Sequence, residues 1–139
     1  FPNDATAIRL LADVLSWNRK YGEALALFEV LRAAAPDDTA VRVRIGQVNL
    51  WAGNAPAALA EFARVLDPDV TQKDVWADFV AAAAALPERA KLSSEQAKLL
   101  GRVAEQLAAR ESTDPLFLAR LGTVFAREGR AADAKPFLD

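Results

Sequence analysis

The chain rhymes with itself every 34 residues. Trp17, Ala24, Leu25 and Phe28 recur as Trp51, Ala58, Leu59 and Phe62, each pair 34 apart. Val14 and Val48 keep the same step, and Leu11 is echoed by Ile45. A fixed step of this length marks stacked helix-turn-helix units, none of which buries its apolar face alone. Arrays of that kind bind other molecules along an extended surface and rarely carry out chemistry.

Composition narrows the job further. With 139 residues, 53% of them apolar and 26% charged, the chain suits one folded domain. Much of the apolar share is alanine, which favours helices that approach closely. A net charge of −2 and a pI near 5.2 count against nucleic acid, whose binding needs a concentrated basic face. Arg42 and Arg44, the tightest basic pair, read as a solvated helix face. The absence of Cys removes disulfide and thiolate chemistry and leaves the redox compartment open. The absence of His removes the usual proton shuttle and the commonest metal ligand. No apolar run reaches the ~20 residues of a membrane helix, so no membrane insertion is expected. The sequence starts at Phe1 without Met or a signal segment, and reads as part of a longer protein.

Periodicity places the helices. The first is expected from about Ala5 to Asn18, capped by Asn3 or Asp4, with Ile8, Leu11, Ala12 and Leu15 as its buried stripe. Arg19-Lys20-Tyr21-Gly22 reads as a tight turn before a helix from Glu23 to Ala34, which buries Ala24, Leu27, Phe28 and Leu31. Pro36 and two aspartates end that pair and cap the next. Val41, Ile45, Val48 and Ala52 stripe the third helix. After a Gly53-Asn54 turn, a helix from about Pro56 to Leu66 buries Ala58, Leu59, Phe62 and Val65. Thr71-Gln72-Lys73-Asp74 has capping-box spacing ahead of Trp76, Phe79, Val80 and Ala83. A long turn, Leu86 to Ser93, leads to a second box at Ser93 and Gln96 and a stripe of Leu99, Leu100, Val103, Ala104 and Leu107. Asp114-Pro115 opens a further pair with Leu118, Leu121, Gly122 and Phe125, then Gly129 at a turn, and the sequence ends part-way along an eighth helix.

These units resemble the tetratricopeptide repeat (TPR) family. Repeat one offers Ile8, Leu11, Ala12, Leu15, Ala24, Phe28, Leu31 and Pro36; repeat two offers Ile45, Gly46, Ala58, Phe62 and Val65, and departs at Arg42 and Asn49. Repeat three keeps Trp76, Phe79, Val80 and Ala83, and its second helix fits only across the longer turn, with Ala97, Gly101 and Ala104 as small residues. Repeat four keeps Leu118, Leu121, Gly122, Phe125, Gly129 and Ala134. The resemblance implies a single array over 1–139, with repeats at about 5–38, 39–72, 73–114 and a partial one at 115–139. The fold it implies is all-α: a right-handed superhelix of antiparallel helix pairs, seven to eight helices in all. Small residues such as Gly46, Ala24 and Ala58 have a physical place in it, where the two helices of a pair cross closely.

The resemblance also implies a concave groove lined by the first helix of each pair. Its residues here would be Thr6, Arg9, Asp13, Ser16 and Trp17, then Ala40, Val43, Gln47, Leu50 and Trp51. Repeat three adds Asp74, Ala77, Ala81, Ala84 and Ala85; repeat four adds Leu116, Ala119, Thr123, Ala126 and Arg127. The implied partner is a protein or peptide, and the residues implied to hold it are Arg9, Asp13, Trp17, Val43, Gln47, Leu50, Trp51, Thr123 and Arg127. Some relatives grip a C-terminal carboxylate with Lys, Asn and Arg; this chain has Arg9 but Asp13 in repeat one, and Asp74 and Asp78 in repeat three, so that clamp is not expected here.

Trp17 and Trp51 are either interface anchors or residues that close the turn of their own repeat, and packing is the simpler reading. Asp74 and Asp78, one helical turn apart, read as a cap and a solvated charge, and no metal site is expected. Gly53 and Gly129 are turn residues, since no phosphate-binding glycine pattern exists. No catalytic grouping and no cofactor site emerge. The expected function is a non-catalytic scaffold; the alternatives are an architectural segment and the targeting arm of an enzyme. The phrase Leu15-Ser16-Trp17-Asn18 with Tyr21 and Glu23-Ala24-Leu25 resembles one found in bacterial cell-envelope repeat proteins, including exopolysaccharide-export scaffolds. It implies the periplasm or envelope, with the cytoplasm as the alternative. Apolar surface is expected at both ends, where a neighbouring repeat would cover it and the isolated segment would self-associate.

Overall fold

A computed structural model of the chain describes residues 4–87, 90–110 and 115–127. It contains seven α-helices and, among the described residues, no strand. They are α1 (Ala5–Trp17), α2 (Tyr21–Ala34), α3 (Thr39–Trp51), α4 (Ala55–Leu66), α5 (Lys73–Ala84), α6 (Ser94–Arg110) and α7 (Pro115–Arg127). The expected eighth helix, with Gly129 and Ala134, lies outside the described residues, as does Asp114.

The 34-residue step is written into the helix ends as well as the cores. Asp4 caps α1, its side chain accepting from the amides of Thr6 and Ala7; Asp38 caps α3 by accepting from Ala40 and Val41. Each of those pairs is 34 apart, and each cap satisfies amides that have no partner inside the helix. The far ends match too. At the end of α1 the Lys20 amide donates to the Leu15 carbonyl at 2.8 Å and Arg19 to Ser16 at 3.1 Å; after α3, Asn54 donates to Asn49 at 2.8 Å and Gly53 to Leu50 at 3.1 Å. This is the left-handed Schellman ending. It requires a positive φ, which Gly53 supplies at 87° and Arg19 at 62°. The turn therefore falls at Asn18–Lys20, starting one residue and ending two residues earlier than expected. Gly22 lies inside α2, because the residue 34 before Gly53 is Arg19.

Two compact units divide the chain, Phe1–Phe62 and Ala63–Asp139, and the division falls within α4. In the first, α1 packs on α2 and α2 on α3. Ala12, Ala24, Phe28, Leu31, Val41, Ile45 and Val48 form one buried cluster, with Ile8, Leu15, Tyr21, Leu25 and Leu27 against it. A fully buried Phe such as Phe28 contributes roughly 1.5–3 kcal/mol by leaving water. A close helix approach falls at Gly46 on α3, where an added Cβ would lie 2.6 Å from Cε1 of Phe62. Leu11 departs from the expected stripe: it is 52% exposed, while Ala12 beside it is fully buried.

In the second unit α5 packs on α7. Trp76, Phe79, Val80 and Ala83 are all buried as the periodicity predicts, and the Trp76 indole N–H donates to the Val70 carbonyl at 2.7 Å. Thr71 does not cap α5. The cap position is Gln72, without a side-chain hydrogen bond, and the Thr71 amide and hydroxyl both donate to the Asp69 carboxylate. Those two bonds hold the exposed Asp69 carboxyl below its ordinary pKa. The box at Ser93 and Gln96 forms reciprocally, at 3.0 and 3.1 Å.

Candidate functional site

The residues at issue on the first compact unit come from α1 and α3, and Arg44 organises them. Its Nε and Nη2 donate to Asp13 Oδ1 at 3.1 and 2.6 Å, and its Nη1 donates to Gln47 Oε1 at 2.7 Å. Three of its five N–H donors are committed this way. The guanidinium carbon also lies 5.6 Å from the centre of the Trp51 ring and 5.9 Å from that of Phe28. Gln47 and Trp51 follow Arg44 at i+3 and i+7, so helical geometry puts all three on one face of α3. Asp13 reaches that face from α1.

Partial shelter strengthens the arrangement. The Arg44 and Asp13 side chains are both mostly buried, where a charge-assisted contact is less screened than at a free surface. The pair contributes about 1–2 kcal/mol. A second, weaker bracket joins the same helices: Arg9 Nη2 sits 3.2 Å from Asp38 Oδ2 in a more exposed setting. Asp38 thus holds Arg9 with one oxygen while the other caps α3. Arg9 and Arg44 each already hold a carboxylate of the chain itself, and an incoming carboxylate would have to displace it. Beside Arg9 an open depression of about 290 Å³ is lined by Ala5, Thr6, Arg9 and Leu10.

The tryptophans do not close their turns. Trp17 is 67% exposed and Trp51 47% exposed, because the Schellman endings are satisfied by backbone alone and leave both rings outside. Val43 and Leu50 are half-buried on α3. Ser16, which the family likeness puts in the groove, is buried, and its hydroxyl donates to the Asp13 carbonyl at 2.7 Å. Thr123 is exposed on α7 in the second compact unit and donates to the Ala119 carbonyl at 2.9 Å. Arg127 ends α7, and its side chain lies outside the described residues. Among the described residues, no three His, Cys, Asp or Glu side chains converge as metal ligands, and no helix is long and apolar enough to cross a membrane.

Arg44 is the residue that sequence reasoning misses. Read as half of a solvated basic pair, it is instead the hub between two helices. A signal was available: Asp13 and Arg44 are 31 residues apart, close to one helical turn short of the repeat. A similar offset, 29 residues, joins Arg9 to Asp38 and Arg32 to Glu61.

A family model described as tetratricopeptide repeat matches residues 18–86, a stretch that contains α2 to α5. The match supports a TPR family, whose repeats generally mediate protein–protein interaction. The chain has no match among curated proteins.

Proposed function

We propose that this chain is a non-catalytic interaction scaffold whose α1–α3 face receives a segment of a partner protein. The observation that carries this reading is Trp51: its ring is nearly half exposed, yet Arg44 lies against it and is itself fixed by Asp13. An exposed indole held at a defined angle offers a large contact area with little entropy left to lose. Trp17 offers a second such ring from α1. Because the charges of this face are already paired internally, the segment it suits carries aromatic or aliphatic side chains and hydrogen-bonds through its backbone, with Gln47 as a polar contact. Arg9, Asp13, Val43 and Leu50 complete the proposed surface. Thr123 and Arg127, on α7 in the second compact unit, are proposed as partner contacts of that unit by itself, on the likeness of α7 to α1 and α3 alone. The bacterial periplasm or envelope is the proposed setting, on the phrase around Trp17.

The test is to pan a random dodecamer library on the full chain and measure recovered peptides against variants. Trp51→Ala and Gln47→Ala should each weaken binding at least tenfold, while Arg64→Ala, on an exposed part of α4, should leave it unchanged. Peptides that bind all three variants as tightly as the parent would overturn the reading.

A further inference from the structure

The side chains that bridge α1 and α3 measure the step between them. Asp13 and Gln47 are equivalent residues of the two repeats, 34 apart, and the Arg44 guanidinium lies between them. It donates to Asp13 Oδ1 at 2.6 Å and to Gln47 Oε1 at 2.7 Å. One planar guanidinium spans the gap, so the two acceptor oxygens are no more than about 8 Å apart. Trp17 and Trp51 follow Asp13 and Gln47 by four residues, one helical turn, and both are exposed. Their stems therefore start from neighbouring helices, whose axes run about 8–10 Å apart. Among the described residues neither indole N–H has a partner within the chain. Repeats of an array cover one another along its axis, so a further repeat would leave this face of α1 and α3 open.

We infer that the α1–α3 face reads a proline-rich segment of a partner protein. The segment lies across both helices as polyproline II, sets one proline on each indole at positions i and i+3, and accepts hydrogen bonds from the two indole N–H groups. The inference rests on the reading of this face as a binding surface and names the chemistry of what it takes. Three features select that conformation. Polyproline II has three residues per turn, so i and i+3 share one side about 9 Å apart, which matches the step from α1 to α3. A β-strand returns to the same side after about 6.5–7 Å and falls short. A helix spends its carbonyls on itself, whereas polyproline II has no internal hydrogen bonds and keeps every carbonyl open to an indole N–H. Finally, Arg44 and Asp13 answer each other's charge, which leaves a charged segment nothing to gain. An apolar proline ring stacks on indole, and a chain already fixed in φ loses little entropy on docking. No two of the chain's seven prolines stand three apart, so these residues do not supply the segment themselves.

The probe is a fluorescein-labelled dodecamer with proline at every third position and leucine or alanine between, read by fluorescence anisotropy against the full chain. It should bind in the micromolar range. An isomer of the same composition, with its prolines two and four apart, should bind at least tenfold more weakly. Trp17→Ala and Trp51→Ala should each weaken the probe at least tenfold. Trp51→Phe, which keeps a ring against Arg44 without the N–H, should lose only a few-fold, and Arg64→Ala should change nothing. Both tryptophans are exposed, so these variants should keep the parent's circular dichroism melt. Binding indifferent to proline spacing, or dependent on one tryptophan alone, would overturn the inference. So would a probe that stays unbound up to millimolar while peptides recovered by panning still need Trp51, a result that leaves the face as a binding surface for another conformation. Probe and panned peptides alike indifferent to Trp51 would overturn both readings together.

Discussion

Gly46→Ala is the most revealing single change, because two opposite effects compete at one atom. In an exposed helix the substitution would stabilise by about 1 kcal/mol, through propensity alone. Here the new methyl would sit 2.6, 2.9 and 3.0 Å from Cε1, Cζ and Cδ1 of Phe62. Carbon–carbon contacts are comfortable from about 3.5 Å, so the ring must retreat by nearly an ångström. Phe62 is fully buried and has no solvent to retreat into. Overpacking of this kind costs about 1–3 kcal/mol, and a rigid ring met over three of its carbons belongs at the upper end. The clash therefore wins, with a net loss of about 2 kcal/mol and a fall in Tm of roughly 6–8 °C. Urea denaturation followed at 222 nm reads the loss as a lower midpoint at unchanged slope. The decisive arm is Phe62→Leu, which removes the ring. In that background Gly46→Ala should become neutral or stabilising, a coupling of about 2–3 kcal/mol. If Gly46→Ala stabilises the parent chain, the close crossing of α3 and α4 does not exist and the repeat register built on it fails.

Three further outcomes are expected. Arg19→Gly should raise stability by about 0.5–1 kcal/mol in the same denaturation assay, since it relieves a left-handed residue at the end of α1; a loss would mean that the Arg19 side chain makes a contact worth more than the strain. Thr71→Val removes the hydroxyl that donates to Asp69, so the Asp69 pKa should rise toward the ordinary carboxylate range, checked by carboxyl-carbon NMR titration. The sign follows from a lowered folded value: Asp69 stabilises the chain above its ordinary pKa, that contribution fades as pH falls through the lowered one, and the variant should lose part of it. Arg32→Ala leaves Glu61, whose side chain is only 13% exposed, without its 2.7 Å partner and should cost about 2 kcal/mol, most of which Arg32→Leu with Glu61→Leu should recover.

What the sequence reveals and what it hides divide along a physical line. Periodicity reports which face of a helix is apolar. It therefore finds Val41, Ile45 and Val48, the run Ala58, Leu59, Phe62 and Val65, and the Trp76 face, all of them buried. It does not report whether a neighbour exists, so Leu11 carries the same letter pattern as Ile45 and stands in the open. Capping rules are local, and the Ser93–Gln96 box forms as its spacing predicts. At Thr71 two local motifs compete for one hydroxyl, and the turn onto Asp69 wins over the helix cap. Arg44 is hidden for a different reason: its carboxylate lies on another helix, and a rule that looks three or four residues along the chain never meets it. The tryptophans mislead because size suggests burial, whereas the backbone at Arg19 and Gly53 ends each helix without their help.

The ion pairs that reach between helices share a property with consequences for how the array unfolds. Arg9–Asp38 and Asp13–Arg44 join α1 to the cap and body of α3, Arg32–Glu61 joins α2 to α4, and Arg102–Asp67 joins α6 to the segment that follows α4. In a linear lattice of folding elements, stability divides into a term intrinsic to each hairpin and a term for each junction. The described long-range charge pairing belongs to the junction term, which it shares with the apolar cluster of α2 and α3, while the helix caps belong to the intrinsic one. Ionic strength then acts on one share of that term: salt weakens the exposed charge contacts first and leaves the apolar seam between α2 and α3 in place, so the coupling of neighbouring hairpins should fall without being lost.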